Sequence, residues 1–108
     1  MIIETLFEGK LASINNRYNK NFSLTNQYRT CKEELKLAYR LANPKKVCFT
    51  KPVWVSVTWD KGRMDIDASI KLIIDAMQGE IIKNDSLVER VIIEHTKGIK
   101  TIICVGEL

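Results

Sequence analysis

The chain is short of the residues that mark several common chemistries. It has one histidine, His95, and three cysteines, Cys31, Cys48 and Cys104, widely spaced and without a Cys-x-x-Cys. That odd, scattered set argues against a disulfide framework or a zinc site; three small buried thiols are expected instead. His95 falls near the end of a strand-like run, where a half-buried sheet residue is expected rather than a catalyst. No apolar run approaches the ~20 residues of a membrane span, so no membrane association is expected. Met1-Ile2-Ile3-Glu4 lacks the basic-then-apolar layout of a signal peptide, and a cytoplasmic protein is expected. No internal repeat, low-complexity tract or domain boundary interrupts the 108 residues. They are expected to fold as one domain, 1–108.

What is present is ordinary in amount and uneven in placement. Apolar residues make up 45% and charged residues 28%, as in a typical globular domain. The net charge is +4, but residues 1–54 hold ten Lys/Arg against four Asp/Glu, and residues 55–108 seven against nine. The basic half suits a polyanion and the acidic half a metal ion.

Alternation places Ile3, Thr5 and Phe7 on one face of a first strand, Met1–Glu8. The polar stretch Ser13–Phe22 cannot bury enough apolar surface to order itself. It reads either as a solvated connector or as a loop that closes on nucleic acid through Asn16, Arg17, Tyr18 and Lys20. A helix follows, capped by Thr25 or Asn26, with Tyr28, Cys31, Leu35, Ala38 and Ala42 as its apolar stripe. Asn43-Pro44 stops it. A short strand is expected at Val47–Phe49 and the main one at Val53–Trp59. After a turn at Asp60–Arg63, Ala68–Gln78 reads as a helix buried through Ile70, Ile73, Ile74 and Met77, with Gly79 as the left-handed residue past its end. Leu87–His95 and Ile99–Val105 read as a hairpin joined at Thr96-Lys97-Gly98. The fold class is therefore α/β (α+β): a mixed sheet of about four strands with two main helices, in the order β-α-β-α-β-β.

The chemistry concentrates at 64–85. In extended backbone Asp65 and Asp67 point the same way. Lys71 and Asp75 follow at helical spacing from Asp67, so these three share a helix face. Asp85 lies in the turn after the helix, and the return through Ile81–Asn84 is short enough to bring it beside Asp65. Three crowded carboxylates must take up a proton or a cation. Hard divalent ions prefer all-oxygen ligands. The reading is a metal-dependent nuclease site, with Asp65, Asp67 and Asp85 as ligands to magnesium, or to manganese in its place. In that site Lys71 opposes the charge that builds on a phosphate, and Arg63 joins it in contacting DNA. Each residue also has a plainer reading. Asp67 stands where the helix wants an N-cap, Lys71–Asp75 is an ordinary i,i+4 pair, and Asp85 is a common turn residue. On those readings the chain is a non-catalytic nucleic-acid-binding module.

Asn15-Asn16-Arg17-Tyr18, Asp65-Ile66-Asp67 with Lys71, and Asn84-Asp85 before the last two strands together resemble the RusA family of Holliday junction resolvases. The order and spacing match over nearly the whole chain. Ala68 stands where that family usually has Asn, and Asn84 where it commonly has a second acid. The resemblance implies a homodimer that cuts branched DNA, the four-way junction, using magnesium. It also implies that Asp65, Asp67 and Asp85 are the essential carboxylates and Lys71 the essential lysine.

Overall fold

A computed structural model describes residues 1–11 and 26–108. In chain order its elements are β1 (Ile2–Phe7), α1 (Asn26–Ala42), β2 (Val53–Trp59), α2 (Ile70–Met77), a 3-10 turn (Asp85–Leu87), β3 (Val88–His95) and β4 (Thr101–Glu107). The expected element order and the mixed four-stranded sheet are both present. Thr25 as a helix cap lies outside the described residues, and Asn26 is the first helical residue.

The strands lie in the order β1-β4-β2-β3. β4 runs antiparallel to both β1 and β2, while β3 runs parallel to β2. A parallel neighbour needs a crossover, and α2 with the 3-10 turn supplies it. Alternation sets the layers. Ile3 and Phe7 of β1, Val53, Val55, Val57 and Trp59 of β2, and Ile103 and Val105 of β4 are buried. They form one core with Leu35 and Tyr39 of α1 and Leu72, Ile73 and Met77 of α2. No described helix lies on the opposite face. There Trp54 of β2 lies over Gly106 of β4, its partner in the ladder, so closely that a Cβ on the glycine would sit 2.5 to 2.7 Å from the indole.

Several expectations are corrected. β3 and β4 do not form a hairpin; they flank β2, and residues 96–100 pass over its end. Thr96 donates its N–H to Trp59 O at 3.0 Å, and Gly98 donates to Asp60 Oδ2 at 2.9 Å. β2 is central, half-buried even on its outer side chains, so both of its edges need partners. The buried residues of α2 are Leu72, Ile73, Ala76 and Met77, with Ile70 and Ile74 only partly covered. The helix packs against α1 as well as the sheet, which rotates its buried face. In α1 the stripe includes Tyr39, whose hydroxyl donates to Ile73 O at 2.9 Å, while Ala38 and Ala42 are partly buried. Val47–Phe49 contributes a single bridge, Phe49 to Ile82, rather than a strand. Of the cysteines only Cys31 is buried; Cys48 is exposed and Cys104 intermediate. His95 is exposed, with Nδ1 accepting the Lys61 N–H at 3.2 Å. No helix among the described residues is long and apolar enough to cross a membrane.

Candidate catalytic site

The acidic loop leaves the end of β2 and is fixed through its backbone. Asp60 accepts the N–H of Gly98 and of Gly62, which holds its carboxyl below the ordinary carboxylate range. Gly62 sits at φ +57°, in the left-handed region that glycine tolerates. Trp59 then reaches forward and donates Nε1–H to Ile66 O at 3.2 Å. Ala68 N–H bonds Asp65 O at 3.0 Å, and Ala68 and Ser69 are buried. The main chain at 65–69 is thus anchored from both sides.

Its two carboxylates are not. Asp65 and Asp67 are exposed, and neither side chain has a hydrogen-bond or ion-pair partner among the described residues. The N-cap of α2 is Ser69, without a side-chain capping bond. Asp67 therefore does not cap the helix, and the plainer reading of that residue is removed. Both acids precede the positive end of α2, which favours negative charge gathered there.

Lys71 lies one residue into α2. Its Nζ is 3.2 Å from Asp75 Oδ1 and 3.8 Å from Asp85 Oδ2. Asp75, one turn later, is held on its other oxygen by the Tyr28 hydroxyl of α1 at 3.1 Å. The chain then returns sharply. Gly79 takes φ +81°, as expected past the helix end, and donates its N–H to Ile82 O. Phe49 ties down this return, donating its N–H to Ile81 O and accepting the N–H of Lys83. Gln78 Oε1 accepts the Asp85 N–H at 3.1 Å, while Asn84 caps the 3-10 turn by accepting from Ser86 N–H. The return thus brings Asp85 to Lys71, whereas the sequence alone predicts it beside Asp65.

The three expected carboxylates are not gathered into one cluster. Among the described residues no group of three or more His, Cys, Asp and Glu side chains is placed to hold a metal ion. The donor chemistry of Asp65, Asp67 and Asp85 nonetheless suits a hard cation, and the first two are committed to nothing else. Reading the sequence missed Tyr28 and Gln78, which position Asp75 and Asp85. The phenol at the start of an apolar stripe was the one available signal, since a buried tyrosine hydroxyl seeks a partner.

Beside the acidic loop lies a cleft of about 600 Å³. Lys10, Lys61, Arg63 and Lys100 line it, against Glu8 and Asp60, with Trp59 and Met64 as apolar wall. Lys100 is already paired with Glu8 at 2.6 Å. Arg63 is exposed, and no described residue pairs with it. The segment 61–64 belongs to both cleft and acidic loop, so the basic surface runs up to Asp65. Asn16, Arg17, Tyr18 and Lys20 lie outside the described residues.

The family model for Endodeoxyribonuclease RusA matches residues 9–105. No curated protein matches the chain.

Proposed function

The chain belongs to the RusA endodeoxyribonuclease family, and from that premise we propose that it is a magnesium-dependent nuclease resolving four-way DNA junctions by paired cuts. The observation that carries this reading is the contrast within one loop. Asp65 and Asp67 sit on an anchored backbone with exposed carboxylates that do no structural work, one turn before a lysine that reaches Asp85.

In this proposal Asp65, Asp67 and Asp85 hold the magnesium ion. When bound, the ion supplies an acidified water and offsets charge on the phosphodiester. Lys71 donates to the phosphate oxygen on which charge develops. Asp75 keeps the ammonium aimed along the helix face, and Tyr28 keeps Asp75 from turning away. Lys10, Lys61 and Arg63 line the path of the neighbouring phosphates along the cleft. Asn16, Arg17, Tyr18 and Lys20 are proposed to contact DNA. A homodimer would present two such sites, and its two-fold axis would make the cuts symmetric.

The test is a synthetic four-way junction incubated with and without magnesium, beside a linear duplex of the same sequence. Paired cuts in the junction, only with metal, and their loss in Asp67→Asn with junction binding retained, are expected. Equal cutting of the duplex would overturn the junction preference. Normal cutting by Asp67→Asn would overturn the site.

A further inference from the structure

β3 is an edge strand with little cover. Among the described residues it pairs with β2 on one side only, and its burial pattern is exposed at six of eight positions. Val91 and Ile92 are 41% and 47% exposed. Long apolar edges of this kind pair with other strands unless something blunts them.

The order of its side chains says what would pair with it. From position 90 the strand reads Arg90-Val91-Ile92-Ile93-Glu94. Arg90, Ile92 and Glu94 stand opposite Trp54, Ser56 and Thr58 and share the sheet face that carries no described helix. Val91 and Ile93, opposite Val55 and Val57, share the helix-covered face. Now place a second copy of the strand antiparallel to the first, with a two-fold axis through Ile92. Arg90 then faces Glu94 of the second copy, and Glu94 faces its Arg90. Val91 faces Ile93, and Ile92 meets itself. Every charge meets its opposite and every apolar side chain meets another, which is the self-complementarity a two-fold interface requires.

The backbone agrees. Thr96 gives its N–H to Trp59 O of β2, and the direction of these groups alternates along a strand. Val91 and Ile93 therefore turn their N–H and C=O to the open edge, where this register pairs them with each other. Glu89 is left out of the match, since a register shift between Val53 and Trp54 places it in a bulge. Neither Arg90 nor Glu94 has a partner among the described residues. The other sheet edge lacks this symmetry: an axis at Glu4 of β1 sets Glu4 against itself, and one at Thr5 sets Glu4 against Leu6.

We infer that β3 is the dimer interface, pairing antiparallel with β3 of a second copy about Ile92 to make one continuous eight-stranded sheet. The inference rests on the two-fold association proposed above and not on its chemistry, so it is tested by mass rather than by cleavage. Sedimentation or light scattering at micromolar concentration should give twice the 12.4 kDa chain mass. R90E sets Glu against Glu twice and E94R sets Arg against Arg twice, so each should weaken dimerisation at least tenfold. The double variant R90E/E94R restores both pairs and should recover the dimer. Mixing the two single variants should give a mixed dimer, because every pair in it is opposite in sign. In the parent chain, amide exchange at Val91 and Ile93 should slow as concentration rises. A monomeric parent, single variants that dimerise like the parent, or exchange at Val91 and Ile93 that ignores concentration would each overturn the assignment.

Discussion

Tyr28 of α1 donates its hydroxyl to Asp75 Oδ2 of α2 at 3.1 Å, and Asp75 Oδ1 in turn lies 3.2 Å from Lys71 Nζ. The contact between the helices thereby fixes the lysine that sits between Asp75 and Asp85. Tyr28→Phe removes that donor from a partly buried carboxylate and should cost about 1–2 kcal/mol of stability, read by urea unfolding. It should slow cleavage less than loss of Lys71 does, since Lys71 still has Asp75 within reach.

Lys71 itself is exposed and its ion pairs add little to the fold. Lys71→Met should leave the unfolding midpoint nearly unchanged while lowering single-turnover cleavage of a four-way junction by ~10²–10³, the usual effect of removing one donor to a transition-state oxyanion. A change in junction affinity with no change in the single-turnover rate would show that Lys71 holds DNA and does not assist the reaction.

Asp67→Asn should be silent in stability without metal, within about 0.5 kcal/mol, because the side chain is exposed and has no partner among the described residues. In the parent, magnesium should raise the melting temperature by mass action, and the variant should lose much of that rise. An equal rise in both proteins would place the ion elsewhere.

Asp60 gives the fold a pH signature. Its carboxyl accepts the N–H of Gly98 and of Gly62 and titrates below the ordinary 3.8. A carboxyl lowered by folding contributes stability in full above its unfolded value and loses it as pH falls through the folded one. Asp60→Ala should therefore melt below the parent at neutral pH. That difference should shrink from about pH 4 downward, as followed by circular dichroism. A constant gap down to the lowest pH at which the parent stays folded would mean that the two N–H bonds do not depend on the charge.

Gly106 tests the face of the sheet opposite the described helices. Any side chain there enters the space of the Trp54 ring. Gly106→Ala should cost ~1–3 kcal/mol through displaced packing, and tryptophan emission should shift as the indole moves.

Much of this was legible beforehand where one periodicity acts alone. β2 alternates with Val and Trp at every second position, and its span is as expected. Asn43-Pro44 ends α1, and Gly79 starts the return from α2. Two competing demands blurred the rest. α2 serves both the sheet and α1, so its apolar stripe alone did not set which residues are buried. The connection at residues 96–100 has the turn chemistry of a hairpin. Its bonds to Trp59 and Asp60, more than thirty residues earlier, show that it is stretched across another strand. In the site, the Lys71–Asp75 pair follows from helical spacing, but the contact of Asp85 with Lys71 does not, because the sequence reads the return as leading to Asp65. The Tyr28 and Gln78 contacts depend on how elements dock, which local pattern does not encode.

β4 is the last of the described strands to be synthesised, yet it lies inside the sheet, between β1 and β2. During translation β2 can pair with β3, but β1 has no described strand beside it until residues through Glu107 have cleared the ribosome. Only then can Ile2 meet Gly106, across almost the full length of the chain. Contacts so distant in sequence close slowly. The sheet of this protein is thus closed late, when β4 enters between β1 and an already adjacent β2–β3 pair.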